Sequence, residues 1–227
     1  MSTTLRHRWD LTPKEAVTIQ RELAGRVRCV GRPANVRRIA GFDASYIAAS
    51  ESMIAGVVVW DVEHRIVVET AHVVQRCPFP YVPGLLSFRE APAVLDAASL
   101  LRSKPDLLMI DGQGLAHPRR FGLACHVGLL LDLPTIGCAK SRLCGEFIEP
   151  GRKRGSSRRL TLQGEIVGKV VRTRDDVRPL FVSVGHRIAL VEAERWTLRC
   201  AVKYRLPEPT RLAHQYVTKL KRDVGPS

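Results

Sequence analysis

Val36-Arg37-Arg38-Ile39-Ala40-Gly41-Phe42-Asp43-Ala44-Ser45-Tyr46-Ile47 is a run of β-branched, aromatic and small residues whose apolar centre is broken by one acid, Asp43. Such a run reads as a strand. Two more of the same kind follow, Met53 to Val62 and Arg65 to Gln75, joined by short polar links, so the three read as an antiparallel meander. From Ser87 to about Arg102 the apolar period becomes helical, and Asp106 to Ile110 is then a short buried strand closed by Asp111-Gly112-Gln113-Gly114. A meander followed by helix and strand implies a parallel addition to the sheet.

Further along, Phe121 to Leu131 reads as a helix and Pro134 to Ala139 as a short strand. Glu165 to Arg172 and Leu180 to Val184 read as two more strands, Arg187 to Ala201 as a helix, and a final short helix holds His214. Upstream, Thr12-Pro13-Lys14-Glu15 combines a Thr cap, Pro at the first helical position and Glu three residues after the cap, a capping box opening a helix through about Val27. The order βββ, α, β, α, β is that of the ribonuclease-H-like fold, an α/β mixed sheet with helices on both faces. Gly151 to Arg159, GRKRGSSRR, is punctuated by Gly and Ser and reads as a mobile basic loop. No internal repeat or linker divides the 227 residues, which are expected to form one domain, with 1–10 and 217–227 as peripheral tails.

Thirty-six Lys and Arg face 22 Asp and Glu, a formal net charge of +14, so the surface carries a broad positive field suited to a polyanion. Charge alone names no chemistry, since a basic face also serves solubility. Six scattered cysteines without a C-x-x-C pair weaken zinc and disulfide readings and fit a reducing compartment. No apolar leader opens the sequence and no run is long enough to span a bilayer, so a cytoplasmic monomer without membrane contact is expected.

Asp43 stands where an acid has poor strand propensity and where burying its charge is costly unless something pairs it. A metal is one such partner; an edge strand facing water, or a buried pair with an arginine, is another. Asp111 ends a strand at the carboxyl edge of the expected sheet, where ligands of open α/β sheets bind, although Asp-Gly is also an ordinary turn. Glu90 belongs to Ser87-Phe88-Arg89-Glu90, itself a capping-box pattern, while Pro92 disturbs that first turn and leaves the carboxylate free to aim elsewhere. If the first and fourth strands are neighbours, Asp43 and Asp111 converge and Glu90 approaches from the covering helix. Three hard oxygen donors favour Mg²⁺, with Mn²⁺ able to substitute, and suit phosphodiester hydrolysis. Gly112-Gln113-Gly114 lacks the rest of a dinucleotide fingerprint, and Cys138-Ala139-Lys140-Ser141 lacks phosphate-loop spacing, which argues against NAD and ATP.

Six motifs extend this reading: GFDASY around Asp43, PYVPGLLSFRE from Pro80 to Glu90, DGQGLAHPRRFGLACHVG from Asp111 to Gly128, IGCAKSRL from Ile136 to Leu143, VSVGHRI from Val182 to Ile188, and RLPEPTRLAH ending at His214. Together they resemble the endonuclease V family, the inosine-specific repair nucleases, over about Leu11 to His214. The resemblance implies Mg²⁺-dependent cleavage of DNA at the second phosphodiester bond 3′ to a deaminated base, chiefly deoxyinosine, leaving 3′-hydroxyl and 5′-phosphate ends. It also implies roles. Asp43 and Asp111 match the principal metal ligands and Glu90 the third carboxylate, His214 matches the histidine beside the metal, and Lys140 the lysine near the phosphate. Without the resemblance, His214 is an ordinary helix-surface histidine and Lys140 one basic residue among many.

Tyr81 matches the wedge aromatic, and a ring held between Pro80 and Pro83 on a stiff loop can replace a base in the stack, although a proline-packed tyrosine is equally common. Deaminated adenine offers an acceptor at O6 and a donor at N1, which backbone groups read where glycines permit close approach. Gly84, Leu85, Gly112 and Gly114, with His117 nearby, are the pocket candidates. Arg89, Arg119, Arg120 and the GRKRGSSRR segment are expected to contact phosphates. Two rival readings stand beside this one: an inactive nucleic-acid-binding protein on the same scaffold, and a nuclease acting on inosine-containing RNA.

Overall fold

The computed structural model describes residues 7–224. Helix α1 (Pro13–Ala24) opens with the capping box: the Thr12 hydroxyl accepts from the Glu15 N–H and the Glu15 carboxylate accepts from the Thr12 N–H. The meander follows as β1 (Arg38–Ile47), β2 (Ser52–Asp61) and β3 (Ile66–Arg76), then α2 (Leu86–Ser99), β4 (Leu107–Ile110), α3 (Leu123–Leu131) and β5 (Thr135–Ala139). The remainder is β6 (Ser157–Leu162), β7 (Glu165–Val171), β8 (Leu180–His186), α4 (Leu190–Cys200) and α5 (Glu208–Val224).

All eight strands lie in one sheet of order β3-β2-β1-β4-β5-β8-β7-β6. The β1–β4 and β4–β5 pairs are parallel and the rest antiparallel, so the first five strands make the ribonuclease-H-like order, extended by an antiparallel flap. Side-chain alternation divides the core. Ala40, Phe42, Leu108 and Ile110 pack under α2 and α3, while Ile39, Leu107 and Met109 belong to the opposite layer with Trp196 of α4. Among the described residues no helix is long and apolar enough to cross a membrane.

Helix α5 reaches the sheet closely because Gly41 has no side chain: a Cβ there would lie 2.0 Å from the Pro209 carbonyl oxygen. Val217 then packs with Ile47 and Ile54, anchoring the helix across β1 and β2. The final helix is therefore not short but 17 residues long, and positions 217–224, expected to be a peripheral tail, are part of it. At the other end, His7 to Asp10 fall in the segment expected as a tail, yet Trp9 packs against the core; residues 1–6 and 225–227 lie outside the described region.

Two other expectations change. Ser157 to Arg159 of the basic segment form the start of β6, hydrogen-bonded to β7. Residue Ser87 is not a cap: α2 begins at Leu86 behind Leu85, which makes no side-chain cap, and Ser87 is buried inside the first turn with an unpartnered Oγ. The capping-box explanation of Glu90 is thereby removed.

Candidate active site

Parallel register decides where the first two acids meet. Phe42 pairs with Ile110, so the next residues along β1 and β4, Asp43 and Asp111, emerge side by side at the carboxyl edge of the sheet. From α5, His214 Nδ1 lies 3.0 Å from Asp43 Oδ2. One ligand atom each from Asp43, Asp111 and His214 fall within 4.8 Å of one another. Glu90, on the second turn of α2, lines the same cleft with Asp43 and Asp111, but is not one of that close set.

The electrostatics of the cleft favour a cation. Burial raises the Asp43 carboxyl above its ordinary value, opposed by the His214 hydrogen bond and reinforced by Asp111. Burial, then the charges of Asp43 and Asp111, push Glu90 up to about 8. Crowded carboxylates that resist ionisation are what a divalent cation relieves, and two aspartates with one imidazole are a donor set that Mg²⁺ or Mn²⁺ accepts.

Lys140 follows β5, and its ammonium Nζ lies 2.5 Å from Asp111 Oδ2. Arg205 fixes the backbone here, donating to the Lys140 carbonyl at 2.6 Å and to the Pro179 carbonyl at 2.9 Å. The sequence reading passed over Arg205, although it opens the RLPEPTRLAH stretch. The five residues expected at the catalytic centre, Asp43, Glu90, Asp111, Lys140 and His214, thus come from five separate segments and converge.

Beside this cleft, Tyr81 is 71% exposed on the loop between β3 and α2. It borders a cavity of about 160 Å³ with Pro83, Gly84, Gln113, His117, Gly122 and others. His117 is buried, its Nε2 hydrogen-bonds the Gly84 carbonyl at 3.0 Å, and its Nδ1 accepts from the Arg119 N–H at 3.1 Å. That network puts the proton on Nε2 and keeps the ring neutral; burial, then the Arg119 charge, lower its pKa to about 4.

Several pocket candidates do something else. Leu85 is buried with Ala16, Phe79 and Phe88, and Leu86 borders the cavity instead. The Gly114 N–H donates to Ser183 Oγ and its carbonyl accepts from Gly122, because a Cβ there would lie 2.1 Å from the Val184 carbonyl; it is a packing glycine. Gly112 is outside the cavity lining, its N–H turned back on the Ile110 carbonyl. Gln113, between them, does line it, its Nε2 bound to the Ser141 carbonyl and its Oε1 buried without a partner.

The arginines are also largely engaged. Arg119 donates through Nε to Gln20 and through an NH2 group to the Gly84 carbonyl, so it braces the loop. Arg120 is paired with Glu165, and Arg89 stacks 4.0 Å over the Tyr46 ring. In the basic segment, Arg152 pairs with Asp176 and Lys153 with Asp175, while Arg154 donates to the Leu198 carbonyl, which ties the predicted mobile loop to the body of the protein.

A sheet of order β3-β2-β1-β4-β5, with an acid just past the carboxyl end of β4 and another beside it within β1, defines an α/β protein of the ribonuclease-H-like class with a candidate divalent-cation centre. The family model for endonuclease V matches residues 21–215. Endonuclease V of Gloeobacter violaceus is 47% identical over 228 residues, covering 99% of this chain and 93% of that protein. The crystal structure of endonuclease V from Streptomyces avermitilis superposes with a TM-score of 0.92 at 42% identity, covering 100% of both chains. Endonuclease V of Ciona intestinalis, crystallised with a 23mer DNA containing an inosine followed by a ribo-adenosine, superposes with a TM-score of 0.82 at 25% identity, covering 94% of this chain and 100% of that one. The chain belongs to the endonuclease V family, and its activity is that of a nuclease.

Proposed function

We propose that the protein is a Mg²⁺-dependent DNA repair endonuclease that recognises deaminated bases, chiefly deoxyinosine, and hydrolyses the second phosphodiester bond 3′ to the lesion, leaving 3′-hydroxyl and 5′-phosphate ends. The observation that carries this is the convergence of Asp43, Asp111 and His214 within 4.8 Å, in a protein whose Tyr81 loop and cavity adjoin the same sheet edge. The inosine-containing DNA bound by the Ciona intestinalis relative supports the substrate class.

Asp43 and Asp111 are the principal ligands of the cation, with His214 beside them and Glu90 completing the negative field of the cleft. When bound, the cation supplies Lewis-acid stabilisation of the charge that develops on the phosphoryl group. His214, bonded to Asp43, orients that carboxylate; Lys140, already against Asp111, presents an ammonium to the scissile phosphate. Tyr81 fills the stack that the lesion leaves, and the displaced base enters the cavity between Gly84 and His117. Neutral His117 adds no charge to that pocket.

The test is incubation with Mg²⁺ and end-labelled DNA or RNA, each carrying one inosine. Expected is a cut one nucleotide beyond the inosine in DNA; no such cut in either polymer overturns the proposal, and a cut confined to RNA replaces the substrate. Asp43→Ala and Asp111→Ala are expected to lower single-turnover cleavage at least about 10³-fold while retaining inosine-DNA binding, because the cation acts chiefly in the transition state.

A further inference from the structure

Helix α1 turns Ala16, Gln20 and Leu23 inward, a buried stripe at helical spacing whose middle member is polar. Ala16 packs with Phe79, Leu85 and Phe88 below the Tyr81 loop, and Leu23 packs with Phe121, Cys125 and Leu129 on the α3 side. An apolar residue between them would avoid the desolvation of a buried amide, which is costly unless every group is bonded.

The Gln20 amide is bonded through both its oxygen and its nitrogen, and its partners lie in two segments, the Tyr81 loop and the loop after β4. Its Nε2 donates to the Gly84 carbonyl at 3.1 Å and to the Phe121 carbonyl at 2.6 Å, and its Oε1 accepts from Arg119 Nε. The Gly84 carbonyl therefore collects three donors, from Gln20, His117 at 3.0 Å and Arg119 at 2.7 Å. Gly84 has φ +79°, a conformation that a side chain would strain, and a Cβ there would lie 2.7 Å from the Arg119 guanidinium. The donors hold this one peptide in an unusual conformation, and Tyr81 is three residues away.

We infer that Gln20 is a positioning residue for lesion recognition: from α1 it bolts the Gly84 peptide to the loop after β4, so that Tyr81 and the cavity are set before nucleic acid arrives. The inference rests on reading the Tyr81 loop as the lesion-recognition element. A loop held in its bound shape avoids ordering cost on binding, so loosening it weakens substrate capture and leaves chemistry at the carboxylates intact.

The test compares the full-length protein with Gln20→Met, which keeps length and volume but no amide, and with Gln20→Glu, which keeps the acceptor for Arg119 and loses both donors. In hydrogen–deuterium exchange, amides between Gly84 and Phe88 are expected to exchange at least about tenfold faster in both variants, from loss of a buried bond network. With a duplex bearing one inosine, KM is expected to rise about tenfold and kcat to change less than about twofold, with Mn²⁺ affinity retained. Unchanged exchange across that segment overturns the inference, as does a loss confined to kcat or accompanied by loss of Mn²⁺ binding. Faster exchange in a protein whose wild type cuts no inosine strand leaves Gln20 as the brace of the loop and overturns only its part in lesion recognition.

Discussion

Glu90 stands on the second turn of α2, its carboxylate in the cleft that Asp43 and Asp111 line. Its local pattern is that of a helix cap, and only the packed structure shows Ser87 inside the helix and the carboxylate facing Asp43 and Asp111. Burial and those two charges hold it up to about 8, against an ordinary 4.5. A carboxyl whose folded pKa is raised favours folding while protonated, so its stabilising contribution is complete below about 4.5 and is lost as pH rises through 8. Metal-free Glu90→Gln is therefore expected to melt above metal-free wild type at pH 8, the gap closing by pH 5, measured by thermal denaturation in chelator; equal melting temperatures at pH 8 would remove the electrostatic account. The other site residues differ in legibility for a physical reason. Asp43 was visible because an acid is anomalous inside an apolar strand, whereas His214, 171 positions away, has nothing unusual around it and gained its role through the family motifs alone. For Arg119 the charge is plain in the sequence, whereas its partners, Gln20 and Gly84, are invisible to local pattern.

Among the elements, α5 is placed by contacts that a glycine allows. Replacing Gly41 by Ala puts a Cβ 2.0 Å from the Pro209 carbonyl, backbone that cannot swing aside, so the helix must shift and take His214 with it. Gly41→Ala is expected to lose about 1–3 kcal/mol in urea denaturation, as overpacked sites do, and to lose cleavage as well. Gly25→Ala is the matched control, since nothing lies within 4 Å of its Cβ and its φ is −68°, and it is expected to be neutral or slightly stabilising. The order of the first five strands was legible because each run announces itself by period and is separated by turn residues. Strand β6 was not: Ser-Arg-Arg-Leu-Thr-Leu has only Leu160 buried, and it is a strand because β7 offers it a ladder, a tertiary cause that no local window carries. The length of α5 was missed similarly, since Val217 reads as a stray apolar residue in a basic tail until Ile47 and Ile54 are seen beneath it.

At the scale of the whole molecule, the net charge of +14 already subtracts the acids that pair with Arg120, Arg152 and Lys153, and Arg119 and Arg154, which bond main-chain carbonyls, keep their charge within it. The histidines carry a second global property. His117, His126 and His186 are all buried, and burial lowers each below the ordinary 6.5, to about 4 for His117 and far below for His126. A depressed folded pKa means that the unfolded chain takes up protons that the folded chain refuses. Stability from these groups is complete above 6.5 and is lost progressively as pH falls from there towards 4. His126 is a test of the effect, because its ring sits among Trp9, Phe88 and Phe121, a setting that suits a phenyl group, and its Nδ1 has no partner, although its Nε2 meets His7 Nε2 at 2.7 Å, a bond that His126→Phe gives up. The urea midpoint of the wild type is expected to fall steeply between pH 7 and pH 5, and that of His126→Phe to fall less, the difference corresponding to about one proton in the pH slope of the unfolding free energy. Parallel curves for the two proteins would show that His126 titrates alike folded and unfolded, and the acid sensitivity would then belong to other groups.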